Sequence, residues 1–236
     1  MPANECINES VCPSQSGRIR CNEITLVGCG SAGCNMVDRI VAKGLPKKVK
    51  TVFINSDDDS PNGGSGMYMG LSRESLRRDP YPEVRFSHYE DTLDELVDTF
   101  GSVDVAVFLM SMGGQVGTAI APVAAKAAYI AGATSLGFAI MPFSAEKVRH
   151  TRAKHAIGLL KEEMPNTVIL ENDKLVPIAG KKPIGEAFSL MDTLIWKKIK
   201  DMMEAMEFSQ NYEEPLESPK ANVVESTPSM AAMEIA

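Results

Sequence analysis

Two glycine-rich turns, each directly behind an apolar run, hold the residues of this chain best suited to chemistry. The first is Gly28-Cys29-Gly30-Ser31-Ala32-Gly33, behind Ile24-Thr25-Leu26-Val27. The second is Met112-Gly113-Gly114-Gln115-Val116-Gly117-Thr118, behind the apolar run 103–110. Glycine has no side chain, so peptide N–H groups at such turns approach phosphate oxygens closely. A helix that follows adds its positive N-terminal end. One glycine turn serves many purposes. Two on consecutive strand-to-helix junctions describe a backbone cradle for a ligand with several phosphates, and a nucleotide is the ligand class that fits.

The elements around the turns follow from apolar period and punctuation. Residues 24–27 read as a buried strand, 35–43 as a helix closed by Gly44 and Pro46, and 50–55 as a second strand. A loop rich in Gly, Asp and Ser covers 56–66, a short strand 67–71, and an irregular stretch with two prolines 77–86. A helix over 88–100 precedes the strand 103–110. An alanine-rich helix over 120–131, opened by Pro122, then leads to a strand at 135–141, a helix at 147–164 and a strand at 167–170. A long helix over 185–207 carries Phe188, Met191, Ile195, Ile199, Met202 and Met206 at helical spacing, the pattern of a central helix around which the domain packs. Strand–helix alternation predicts an α/β fold with a doubly wound, mostly parallel sheet and right-handed crossovers. Both glycine turns then fall at the C-terminal strand ends, where such sheets bind ligands.

Composition sets the remaining bounds. With 236 residues, 44% of them hydrophobic and 23% charged, the chain has material for a soluble core. Its net charge of −7 argues against general nucleic-acid or anionic-membrane binding. All five cysteines lie in the first 34 residues with no CxxC pair, which fits reduced cytoplasmic thiols better than zinc ligands or disulfides. No basic region followed by an apolar run opens the chain, so neither a leader nor a membrane insertion is expected. His150 and His155 are five apart and share no helix face, and His88 has no evident partner, so no metal site is expected. Residues 1–19 read as a flexible arm, 20–207 as one nucleotide-binding domain, and 208–236 as a disordered acidic tail. The mildly apolar end, residues 230–236, suits either a passive tail or a short docking peptide for a partner.

Taken in order, these segments resemble the FtsZ/tubulin superfamily, and FtsZ most closely, from about residue 23 to 206. Gly28, Gly30, Ser31, Ala32, Gly33 and Asn35 are similar to the family's first phosphate loop, and Phe53-Ile-Asn-Ser-Asp57 to its second. Residues 112–122 resemble the tubulin signature, with Gly113, Gly114, Gly117 and Thr118 retained. Pro142-Phe143-Ser-Ala-Glu146-Lys-Val-Arg149 resembles the ribose loop, Glu171-Asn172-Asp173-Lys174-Leu175 an Asn-Asp-Lys-Leu segment, and Ala187-Phe188-Ser-Leu-Met-Asp192 the start of the central helix. The resemblance implies GTP or GDP as ligand, with Mg2+ as a further candidate, and self-association into oligomers or filaments with a cytoskeletal or membrane-remodelling role. It also implies that Phe188 covers the guanine ring, Asp192 accepts its N1–H and N2–H, Asn35 or Asn172 reaches O6, and Glu146 and Arg149 hold the ribose. Each residue alone has a plainer role: core for Phe188, solvated helix face for Asp192, surface pair for Glu146 and Arg149.

Departures from the family pattern weigh on hydrolysis and on the ribose contacts. The signature loop carries Gln115, Val116 and Ala119 where the family has Gly, Thr and Gly. The segment expected to sense a γ-phosphate reads Arg77-Arg78-Asp79-Pro80-Tyr81-Pro82, and prolines donate no N–H. The ribose loop is one residue short. The catalytic acids that the family carries after the central helix have no counterpart unless Asp201, Glu204, Glu207, Glu213 or Glu214 substitutes, so weak or absent GTP hydrolysis is expected. Two other classes stay open. Gly28-x-Gly30-x-x-Gly33 with Asp57 fits an NAD(P)-dependent oxidoreductase, and the altered loops fit a scaffold without nucleotide.

Overall fold

The computed structural model describes residues 24–45, 49–56, 66–71, 90–180 and 183–211. The expected arm, most of the tail, the loop after residue 56 with Asp57, and the segment holding Arg77, Arg78, Pro80 and Pro82 lie outside those residues. Six strands form one sheet: β1 (Ile24–Cys29), β2 (Val49–Ser56), β3 (Met67–Leu71), β4 (Val105–Ser111), β5 (Thr134–Met141) and β6 (Thr167–Glu171). Every pairing is parallel and the order is β3-β2-β1-β4-β5-β6. The helices are α1 (Gly30–Ala42), α2 (Glu90–Phe100), α3 (Gln115–Ile130), α4 (Lys147–Glu163), α5 (Leu175–Ala179) and α6 (Ile184–Asn211), with a 3-10 turn at Asn172–Lys174. Strand order reverses between β1 and β4, and both glycine turns leave the C-terminal ends of those two strands.

Side-chain alternation along the strands builds two cores. Val27, Val52, Ile54, Ala106, Phe108 and Met110 face a layer of α2, α3 and α4 that includes Leu96, Phe100, Ile120 and Leu160. Leu26, Phe53, Val107, Leu109 and Phe138 face the other layer, where α1 and α6 contribute Met36, Val37, Ile40, Met191, Ile195 and Ile199. Strands buried on both faces read as continuous apolar runs, which is why 103–110 stood out in the sequence.

Several boundaries move. α1 starts at Gly30 rather than residue 35, so the glycine turn is the helix's own first turn. α3 starts at Gln115 rather than 120, and Pro122 sits inside it instead of opening it. Lacking an N–H, Pro122 leaves the helix one hydrogen bond short at that point. α6 extends to Asn211, and Met203 is buried while Met202 and Met206 only pack at the margin. The long helix expected near the C-terminal end is present, and α6 covers one face of the sheet beside α1 with Leu190 and Leu194 exposed. Among the described residues no helix is long and apolar enough to cross a membrane.

Candidate functional site

The two glycine turns touch. A Cβ on Gly30 would stand 2.8 Å from the Gly117 nitrogen, and one on Gly117 would stand 3.0 Å from the Cys29 carbonyl oxygen and 2.6 Å from that of Ser111. Gly30 also has φ +74, a conformation that side chains disfavour. Behind this contact the first turn of α1 lies directly on the sheet. A Cβ at Gly28 would meet Cys34 Cα at 2.7 Å, and one at Gly33 would meet the Leu109 carbonyl oxygen at 2.4 Å. The glycines of the first turn are thus required by close packing as much as by any ligand. Gly114 differs, with open space where its Cβ would be.

Both helices that leave the turns start without a side-chain cap and without an acidic residue in the first turn. Among the described residues, their first N–H groups and positive ends therefore face the strand-switch crevice without a capping side chain or a first-turn acid. Ser31 and Ala32, at this end of α1, are exposed. Asn55, buried at the end of β2, steadies the turn by donating from Nδ2 to Ser31 Oγ at 3.2 Å. In the second turn Thr118 is fully buried, and its Oγ1 accepts the Gly113 N–H at 2.7 Å. Its hydroxyl shapes the turn from inside. Val116 packs against the core below. Gly113, at φ +87, lies so close to α4 that a Cβ would meet the Arg149 carbonyl oxygen at 2.7 Å. Arg152 then donates to the Gly113 carbonyl at 3.1 Å.

The remaining expected residues sit around the same end of the sheet. Glu146 and Arg149 pair with each other at 2.5 Å, and Glu146 also accepts the Phe143 N–H. Asn172 is 9% exposed at the end of β6, and its Oδ1 is enclosed with no donor among the described residues. A buried carbonyl without a donor is uncommon enough to require an explanation. Next to it, the Asp173 carboxylate accepts the Ser144 N–H, tying this turn to the loop before α4. Phe188 is half-buried near the start of α6 and tilts against Phe143 with ring centroids 6.4 Å apart. Asp192, one turn on, is buried and bound by Arg39 of α1. Asn35 is exposed on α1, one turn before Arg39. The plainer alternative for Asp192, a solvated helix face, therefore does not hold. Burial pushes the Cys34 thiol up to about 12 and raises Cys29 strongly in the same direction, so both thiols of the first turn stay protonated.

Arg39, Asn55, Arg152 and Asp173 belong to this site and escaped the sequence reading. Arg39 had one signal, its i+4 spacing from Asn35. Asp173 and Asn55 lay inside motifs whose other residues drew the attention, and Arg152 had no signal at all.

Known proteins resemble this arrangement. Residues 73–180 match the family model "Tubulin/FtsZ family, GTPase domain". The chain is 31% identical over 186 residues to the cell division protein FtsZ of Haloferax mediterranei, covering 77% of this chain and 49% of that protein. It is 32% identical over 193 residues to cell division protein FtsZ 2 of Halobacterium salinarum, covering 78% and 47%. The solved structure titled "FtsZ dimer, empty (M. jannaschii)" superposes with a TM-score of 0.66 at 26% identity, over 80% of this chain and 56% of that one. The chain spans about half the length of the curated relatives it matches. Parallel sheet, paired glycine turns and these similarities agree on one assignment: the chain belongs to the FtsZ/tubulin superfamily.

Proposed function

We propose that this protein binds a guanine nucleotide, GTP or GDP, with its phosphates on the two glycine turns and its base between Asn35, Asn172, Phe188 and Asp192. The observation that carries the reading is the backbone contact between Gly30 and Gly117, which brings together two helix N-termini whose N-cap residues make no side-chain cap. The enclosed Asn172 Oδ1 supports it, because a base N–H would supply the missing donor. In this reading Glu146 and Arg149, paired with each other, would meet the ribose, and the loop with Asp57 would complete the phosphate side.

We further infer that the protein self-associates and that hydrolysis is weak or absent. The support for weak hydrolysis is local. Val116 has no hydroxyl and packs against the core, and Thr118 is fully buried with its Oγ1 accepting the Gly113 N–H, so in this arrangement the second turn offers phosphate its backbone. Bound Mg2+, docking of a partner on the tail and a cytoplasmic, cytoskeletal role belong to the same reading. A second reading is a dinucleotide, since the strand order also serves NAD-binding sheets. It leaves the second glycine turn and Asp192 without a purpose. Extraction and chromatography of whatever nucleotide accompanies the purified protein separates the two. Recovered GDP or GTP supports the proposal; NAD(P), or no nucleotide and no GDP binding on titration, contradicts it.

A further inference from the structure

The second glycine turn lies between α4 on one side and the first turn on the other. A Cβ at Gly113 would meet Pro142 Cγ at 3.0 Å and the Arg149 carbonyl oxygen at 2.7 Å, while Gly117 meets Gly30. Both polar groups of Gly113 are engaged: its N–H donates to Thr118 Oγ1, and its carbonyl accepts from Arg152 Nη1 at 3.1 Å. The peptide joining Gly113 to Gly114 is trans and planar, so its carbonyl and its N–H point in opposite directions. With the carbonyl anchored on the α4 side, the Gly114 N–H is aimed away from α4. It meets no acceptor among the described residues. Sterically the reverse orientation is open. Turning this peptide by about 180° would carry Gly114 from φ −75 to about +105, which glycine tolerates and side chains do not. A carbonyl oxygen would then face the crevice in place of the N–H.

We propose that Arg152 is a positioning residue for phosphate binding: by holding the Gly113 carbonyl, it keeps the Gly113–Gly114 peptide turned with its N–H toward the phosphates. The inference rests on the guanine-nucleotide reading above. A phosphate oxygen gains a donor from the peptide in this orientation and meets the negative end of the carbonyl dipole in the other. Arg152 acts through the peptide and not on the ligand. Its role is therefore confined to the phosphate end and leaves the base contacts alone. It is needed because two successive glycines put little steric restraint on the peptide between them.

The test is calorimetric titration of the full chain with GDP and with guanosine, which lacks phosphate. The proteins are wild type, Arg152→Ala, Arg152→Lys, Gly114→Ala and the Arg152→Ala/Gly114→Ala double variant. Arg152→Ala is expected to lose roughly tenfold or more of the GDP-to-guanosine preference, the scale of one hydrogen bond to a charged group. Arg152→Lys, which keeps a donor for the carbonyl, recovers most of that loss. In the Gly114→Ala background the flipped peptide is barred by the new side chain, so removing Arg152 costs the preference little more. Three results overturn the inference: an unchanged preference in Arg152→Ala, equal weakening of GDP and guanosine, which would make Arg152 merely structural, and the full loss recurring in the Gly114→Ala background, which would make it act by charge. A wild type that binds no GDP overturns the guanine reading itself, and this inference with it.

Discussion

Gly30 is where one methyl group would do most damage. Its φ of +74 and the 2.8 Å approach to Gly117 both exclude a side chain. Gly30→Ala is expected to cost about 2–4 kcal/mol in urea denaturation, whereas Gly114→Ala, with φ −75 and open space at its Cβ, stays within about 0.5 kcal/mol. Equal losses at the two positions would contradict the contact between the turns. Cys34 gives a second residue-scale test. Its thiol is shifted by burial from 9.0 to about 12, so between those values the folded state keeps a proton that the unfolded chain has lost. Stability from this group is therefore whole below pH 9 and declines as pH rises toward 12. Cys34→Ser should flatten the fall in unfolding free energy between pH 9.0 and about 12, and an unchanged slope would contradict the shift. At this scale the sequence showed the glycines and the residues proposed for the base, but not their partners. The Arg39–Asp192 pair is separated by 153 positions, and no local pattern reports a contact at that distance.

The strands and helices were legible because their apolar periods differ and because glycine and proline mark their ends. What stayed hidden has physical causes. The start of α3 has no capping residue, and eleven of its residues are buried, so no amphipathic stripe marks it. The regular apolar stripe of α6 says that one face is buried but not that α1 and the sheet lie against it. The first turn of α3 also carries a prediction. Thr118→Val removes the acceptor for the buried Gly113 N–H and should cost about 1–3 kcal/mol in thermal or urea unfolding. Thr118→Ser, which keeps the oxygen, should recover most of that loss. If Val were tolerated as well as Ser, the hydroxyl would not hold the turn, and an outward role toward phosphate would regain support.

For the whole molecule, the sheet order sets the crevice. β1 and β4 are neighbours whose crossovers lead to opposite sides, so the turns leaving them face one another at the strand-switch point. The turns, the buried acid and the enclosed Asn172 come from elements that only this topology brings to one end of the sheet. The central claim is that this end holds a guanine nucleotide, and equilibrium competition tests it most directly. Protein freed of nucleotide is titrated with a fluorescent GDP analogue, and GDP, ADP and NAD are then added as competitors. GDP should displace the analogue at concentrations at least about tenfold lower than ADP or NAD, a difference of about 1.4 kcal/mol. Failure of the analogue to bind, or displacement by NAD at lower concentration than by GDP, would contradict the account.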